Sequence, residues 1–326
     1  MTATLVIVEV TDAGVAKSSL EAITFTRTVT EGLDGVLSAV SIGAVPAAAR
    51  DALASFGVTS LVELVGDIAD TYAPAAWAAA VVTLIHELQP QVVAGAGSQR
   101  GSEILAHVAA IMDEPLAAQC VALEAGDGGW DLTRIRWGGV LFEDAYFDAE
   151  RAIVTVAPHH TAAASAASSG QLQVDTRHVV ADPDDLTATV QETRQRDGGV
   201  SLATAAVVIA GGRGVGSAEG FAELEELAGL LGGAVGCSRV ATNNGWRSHN
   251  DQVGQTGTRV APDLYVACGI SGATQHWVGC MSAKQILAIN TDNEAPLVAK
   301  ADYAVIGDLH TVLPAIIEEV KARKVG

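Results

Sequence analysis

Apolar and polar positions alternate along this chain between short, continuous apolar runs and longer stripes at helical spacing. Residues 5–10 are rich in β-branched side chains and predict a first, buried strand. Leu20, Ile23, Phe25 and Val29 then mark a helix over 18–29, with a weak start signal at Ser18. The pattern repeats with a strand at 36–42, an Ala-rich helix at 47–56 ended by Gly57, and a strand at 60–64. A helix over 75–88 stops at Gln89-Pro90, because proline cannot continue the hydrogen-bond ladder. Residues 92–94 predict a fourth strand. Strands alternating with helices imply right-handed crossovers and a parallel sheet.

From 117 to 156 the segments become shorter and β-rich, with turn signals at 126–129 and at Gly138-Gly139. Trp130, Ile135, Trp137, Val140, Phe142 and Phe147 predict an apolar face on antiparallel strands. A polar Ala/Ser-rich loop follows at 158–170, then a strand-like run at 174–181. The charged stretch 182–199 holds few large apolar residues and predicts the interdomain connection. A second alternation begins with strand 205–210, which feeds a turn containing Gly211, Gly212, Gly214 and Gly216. Phe221, Leu224, Leu227 and Leu231 mark the next helix. Residues 284–288 continue the sheet, 303–307 form its last strand, and a helix is expected over 312–323. The whole predicts an α/β protein of two domains, 1–190 and 200–326. Each is built on a mostly parallel sheet with helices on both faces.

Polar chemistry gathers where this second alternation turns. Residues 236–276 are rich in hydrogen-bonding groups and punctuated by Gly254, Gly257, Gly269 and Gly272. Arg213, Arg239, Gln255-Thr256, Ser271, Gln275-His276, Asn290 and Asp308 all fall at carboxyl ends of predicted strands. Each has a plain structural reading, such as a surface charge for Arg239 or a helix N-cap for Asp308. Together they form one rim of a parallel sheet, where ligands bind in open α/β folds. That rim predicts a site for a polar, phosphate-bearing cofactor. The GAGSQRGSE segment lacks the lysine of a P-loop and the GxGxxG spacing, and reads as a tight strand-to-helix turn.

Composition narrows the function. With 49% hydrophobic residues in 326, the chain can bury two sizeable cores. A formal net charge of −19 argues against nucleic-acid binding, which rests on neutralising phosphates with Lys and Arg. Cys120, Cys237, Cys268 and Cys280 are scattered, so neither a disulfide framework nor a metal site is expected. The opening reads as a strand without a basic leader, and no apolar run is long enough to span a bilayer. A cytoplasmic protein without membrane insertion is the expectation. No GxSxG, HExxH or SxxK occurs, and Ser271 near His276 lacks the strand–turn–helix elbow of a hydrolase.

The motifs GGRG (211–214), GCSR (236–239), QVGQTG (252–257), APDLYVACGISGATQH (261–276), AINTDNEAP (288–296) and ADYAVIGDL (301–309) stand in one order and spacing. In them the chain resembles the α subunit of electron-transfer flavoproteins. VVAGAGSQRGSEILAHVAAIMDEP extends the resemblance, more weakly, across the first half. It implies a Rossmann-like, FAD-binding second domain, a β subunit that holds AMP, and no substrate chemistry of the chain's own. Carried over by motif, Arg239 beside Ser238 would lie against the isoalloxazine. Thr256, in the loop Gln252, Val253, Gly254, Gln255, Thr256 and Gly257, would meet flavin N5. His276 would take the N1–C2=O edge. Arg213, Ser271 and Gln275 would hold the ribityl-pyrophosphate, and Asn290 and Asp308 would meet the adenosine end. Gly214, Gly269, Ile270, Gly272, Ala273 and Leu309 complete the implied cofactor-binding set.

In function, the resemblance implies shuttling of single electrons from a flavoprotein dehydrogenase to a quinone oxidoreductase. The alternatives are a subunit of an electron-bifurcating, NADH-oxidising complex, or an adenine-nucleotide module that has lost its flavin. The chain departs from the family pattern in several places. The loop at 243–252 lacks the usual proline and carries Arg247 and His249, and Thr258 and Thr274 replace a lysine and an apolar residue. AINTDNEAP also lacks, ahead of Pro296, the usual lysine and first proline. These departures bear on potential and partner choice rather than on FAD binding.

Overall fold

A computed structural model describes residues 2–167, 171–186, 188–190 and 200–325, which form two compact units, Met1–Thr193 and Arg194–Gly326. In the first unit the strands are β1 (Thr2–Val8), β2 (Val10–Thr11), β3 (Gly14–Val15), β4 (Val36–Ile42), β5 (Ser60–Val65) and β6 (Val92–Ala96). They are followed by β7 (Leu116–Ala125), β8 (Trp130–Arg136), β9 (Leu141–Phe147), β10 (Ala152–Val156) and β11 (Gln173–His178). Its helices are α1 (Lys17–Glu31), α2 (Ala47–Ser55), α3 (Pro74–Leu88) and α4 (Gln99–Met112).

Nine strands pair in the order β11-β5-β4-β1-β6-β10-β7-β8-β9, and β2 pairs with β3 as a separate ribbon. The sheet is parallel from β11 to β7 and antiparallel through β8 and β9. Strand β1 explains why its sequence reads as a continuous apolar run. Val6 and Val8 join a core with Ile23 and Phe25 of α1 and Leu53 of α2. Leu5 and Ile7 join another with Val81 and Ile85 of α3 and Ile104 of α4. A central parallel strand is buried on both faces, so alternate side chains feed opposite cores.

The antiparallel extension differs from the expected single apolar face. Trp130 and Ile135 are buried, but Trp137 is 80% exposed, Phe142 62% and Val140 51%. Trp137 and Val140 lie in the turn between β8 and β9, and Phe142 belongs to the outermost strand. The GAGSQRGSE segment is a capped helix start. Ser98 Oγ accepts from the Gly101 N–H at 2.9 Å and donates to Glu9 Oε1 at 2.5 Å. Most of the predicted interdomain connection, residues 187 and 191–199, lies outside the described residues.

The second unit has strands β12 (Val207–Gly211), β13 (Ala234–Cys237), β14 (Leu264–Cys268), β15 (Ile286–Asn290) and β16 (Tyr303–Ile306). Its helices are α5 (Ala222–Leu231), α6 (Arg239–Asn243), α7 (Thr274–Cys280), α8 (Pro296–Lys300) and α9 (Leu309–Val325). All five strands are parallel, in the order β13-β12-β14-β15-β16. Leu224 and Leu227 of α5 and Leu313 of α9 fill one face, while Cys280 of α7 and Leu297 of α8 fill the other. The last helix starts three residues earlier than the apolar pattern predicts. Asp308 stands before its first turn, and Asp308 Oδ1 accepts the His310 N–H at 3.0 Å. The chain leaves β12 towards β13 and then crosses back to β14. That reversal opens a crevice at the carboxyl ends of β12 and β14.

Candidate cofactor site

Four strand ends deliver residues to this crevice, a cleft of about 530 Å³. From β12 come Arg213 and Gly214, and from β13 come Ser238, Arg239 and Val240 of α6. Strand β14 supplies Gly269, Ile270, Ser271, Gly272 and Ala273, then Gln275 and His276 of α7. Strand β15 supplies Asn290, with Asp292 and Ala295 just beyond it.

Glycines let the first and third of these loops touch. Gly212 N donates to Cys268 O at 2.9 Å and Gly214 N to Gly269 O at 3.0 Å. Gly269 has φ +62°, and a Cβ there would lie 2.6 Å from Gly214 Cα. Gly272 has φ +79°, and its Cβ would meet Leu297 Cβ at 2.4 Å. Close approach and left-handed backbone together require glycine at both positions. Asn290 braces the same loop, with Nδ2 donating to Ile270 O at 3.1 Å.

The remaining predicted residues stand behind or beside the cleft and do not line it. Gln252 is 3% exposed. It accepts from Thr242 Oγ1 at 3.1 Å and donates from Nε2 to Thr256 Oγ1 at 2.8 Å. Val253 N donates to Cys237 O, and Gln255 N to Gln275 O at 2.7 Å, so the loop from Gln252 to Gly257 buttresses α7. Gly254 makes close backbone contact with Gln275, while Gln255, Thr256 and Gly257 are exposed. Asp308 is exposed at the start of α9, and Leu309 is buried, its side chain against Gly269. Sequence reasoning missed Val240, Asp292 and Ala295. Asp292 was within reach, because its N–H donates to Asn290 Oδ1 at 3.1 Å, a turn typical of an Asn two residues upstream.

The cleft's charge and unmet polar groups define its ligand. Among the described residues neither Arg213 nor Arg239 has an ion-pair partner, although both side chains border the cleft. Arg247 of the unusual loop is different. It pairs with Glu225 and with Asp251 at 3.1 Å and lies over the Phe221 ring. Ser238 Oγ and His276 Nδ1 are buried without a hydrogen-bond partner. A buried polar atom left unpaired costs roughly 1–3 kcal/mol, so native proteins normally satisfy it with protein, water or a bound group. His276 Nε2 lies 2.8 Å from the hydroxyl of Tyr265, which is wholly buried. Burial holds the His276 pKa down to about 4, with the Val253 carbonyl opposing it weakly. Burial likewise pushes the Cys237, Cys268 and Cys280 thiols up to about 12, leaving them neutral. Ser271 sits in a five-residue loop between β14 and α7, so a strand–loop–helix does exist here. The His276 nitrogens are bonded to Tyr265 or unpartnered, so no Ser–His pair forms. Among the described residues no group of three or more His, Cys, Asp or Glu could hold a metal ion. These features fit an anionic, hydrogen-bonding cofactor laid across the strand ends.

Comparison with known proteins decides its class. Residues 201–281 match the family described as electron transfer flavoprotein FAD-binding domain, and residues 4–182 match the electron transfer flavoprotein domain. The electron transfer flavoprotein subunit alpha of Mycobacterium leprae is 35% identical over 326 residues, covering 99% of this chain and 100% of its own. That of Bacillus subtilis is 33% identical over 97% of each chain. Protein FixB of Clostridium saccharobutylicum is 35% identical over 94% of this chain and 92% of its own. The chain belongs to the electron transfer flavoprotein α-subunit family.

The cofactor of the matched second-unit domain is FAD, and the cleft lies in that unit. Among the described residues, the orphaned Ser238 Oγ and His276 Nδ1, the two guanidiniums without an ion-pair partner and the glycine-lined crossing fit such a group. Among the described residues no helix is long and apolar enough to cross a membrane.

Proposed function

We propose that this chain carries the FAD of a heterodimeric electron shuttle, taking electrons singly from a flavoprotein dehydrogenase and passing them to a membrane quinone oxidoreductase. The observation that carries this reading is the cleft at the β12/β14 crossing, cationic within a chain of net charge −19. Bound FAD supplies the one-electron chemistry, and the chain supplies binding, orientation and electrostatics. Arg213, with Ser271 and Gln275, holds the ribityl-pyrophosphate. Arg239 and Ser238 face the isoalloxazine, Thr256 serves its N5, and His276 its N1–C2=O edge. Asn290 and Asp308 serve the adenosine end. The chain has no substrate chemistry of its own.

The first domain, 1–190, is the docking platform for a β subunit that holds AMP. Its exposed Trp137, Leu141, Phe142 and Tyr146 support this role, since exposed large apolar side chains at a sheet edge can mark interaction sites. Domain 200–326 carries the flavin, and the complex works in the cytoplasm. Co-expression with a β-type subunit, followed by sedimentation and flavin analysis, tests the reading. A 1:1 complex with one FAD, reduced by a dehydrogenase and inert to NADH, is expected. A stable flavin-loaded monomer, or a complex without flavin, would overturn it. Two FAD per complex with NADH oxidation would favour the bifurcating alternative.

A further inference from the structure

Tyr265 occupies an apolar-looking strand position, yet among the described residues its hydroxyl is the one polar group hydrogen-bonded to the His276 ring. The residue lies on β14 with 0% exposure, and its Oη is 2.8 Å from His276 Nε2. Among the described residues that hydroxyl has no second hydrogen-bond partner. A phenol carries a single proton, and a buried donor left without an acceptor is destabilising. If Nε2 held the ring proton, both hydrogens would compete for one contact and the phenol proton would have nowhere to go. If Nε2 presents its lone pair, the phenol proton is satisfied, and the ring proton sits on the nitrogen left to meet the Val253 carbonyl or a ligand in the cleft. The ring proton then belongs on Nδ1. That atom is buried and unpartnered, on a residue that lines the cleft. The Val253 carbonyl also faces the ring, outside hydrogen-bond geometry, and a carbonyl favours a protonated nitrogen over a bare one.

We infer that Tyr265 is a positioning residue which locks His276 as the Nδ1–H tautomer, so that the ring offers a neutral N–H donor to the cofactor. The acceptor's identity as a flavin edge rests on the function proposed above; the tautomer does not. Burial, which keeps the imidazole pKa near 4, makes the ring neutral at physiological pH. His276 therefore contributes a directed hydrogen bond rather than a full charge. The fixed positive charge of the site is left to the arginines. Tyr265, eleven residues earlier on the adjoining strand, decides which ring nitrogen is the donor.

The test uses the full chain in complex with its β-type subunit, labelled with ring-15N histidine, in FAD-free and FAD-loaded form. Multiple-bond 1H–15N spectra report which ring nitrogen carries the proton, with His276→Gln assigning the signal. The expected wild-type pattern is a protonated Nδ1 and a bare Nε2 in both forms. Tyr265→Phe keeps the ring and removes the donor, so the Nε2–H form should become detectable. FAD should be retained, with a dissociation constant raised roughly 2- to 10-fold, the scale of one net hydrogen bond. A protonated Nε2 in the wild type, or an unchanged tautomer in Tyr265→Phe, would overturn the assignment. The wild-type spectrum is decisive even if Tyr265→Phe fails to fold. Failure of the wild-type complex to take up FAD would instead overturn the cofactor reading, because the tautomer is read separately in the FAD-free sample.

Discussion

Arg239 and His276 share one cleft but act on charge in different ways. The Arg239 guanidinium is exposed at the start of α6, and a guanidinium stays charged at any physiological pH. Partly solvated charge pairs are worth about 0.5–1 kcal/mol, which converts to roughly 20–45 mV in a one-electron couple. Arg239→Ala should lower the first reduction potential of the bound flavin by that amount, measured by redox titration, with flavin content near normal. Arg239→Lys should recover only part, because a compact ammonium lacks the planar fork. Retained flavin with an unmoved potential would remove Arg239 from its assigned role. His276 acts through burial. Its pKa is near 4 in the folded state and near 6.5 unfolded, so between those values the unfolded state binds more protons. Stability of the second unit should fall as the pH drops from about 6.5 to about 4, by up to about 3 kcal/mol, and level off below. Denaturant titrations at several pH values should show a flatter dependence for His276→Gln than for the wild type.

At the scale of elements, the site depends on two loops passing at van der Waals distance. Gly269 sits where a Cβ would strike Gly214 Cα at 2.6 Å, with φ +62°. Gly269→Ala should therefore destabilise the second unit by about 1–3 kcal/mol, the usual cost of a strained backbone, and weaken FAD retention more than any surface change. Thermal unfolding and flavin content of the purified complex read both effects. Wild-type values for both would mean the crossing is looser than the structure shows. The loop from Gln252 to Gly257 contributes differently. Gln252 ties Thr242 of α6 to Thr256 through two side-chain hydrogen bonds. The sequence marked the loop as cofactor-binding through its motif. Its hydrogen bonds also tie it to α6 and α7, with Thr256 exposed.

For the whole molecule, the docking surface proposed for the first unit rests on exposed apolar residues of its antiparallel extension. Trp137 is 80% exposed on the β8–β9 turn, with Leu141 and Phe142 beside it. Buried aromatic anchors at interfaces lose about 2–4 kcal/mol when cut to alanine. Trp137→Ala should weaken the complex with the β subunit by about 30-fold or more on the same scale, with the isolated chain's unfolding midpoint unchanged. Analytical ultracentrifugation across a dilution series measures this, and an unchanged dissociation constant would move the docking surface elsewhere. The net charge of −19 sets the context. Against that charge, Arg213 and Arg239 bring positive groups to the cleft.

The sequence by itself determined the alternation of strands and helices, because a central parallel strand must be apolar on both faces and a helix on one. Leu5 to Val8 and Val207 to Gly211 show that rule in their residues alone. It also marked the glycine-rich, polar loops that follow the strands, since turns and close contacts restrict residue choice locally. Strand order was not local. Only long-range pairing sets β14 against β12 and β13 on the far side, and so places Arg213, Ser238, Ser271 and Asn290 around one cleft. The same holds for Tyr265, whose strand position reads as core until the fold brings its hydroxyl to His276. Arg247 looked like an added charge in sequence, and folding neutralised it against Glu225 and Asp251. Trp137, Val140 and Phe142 read as core and emerged exposed, because apolarity records that a face must be covered and not which molecule covers it.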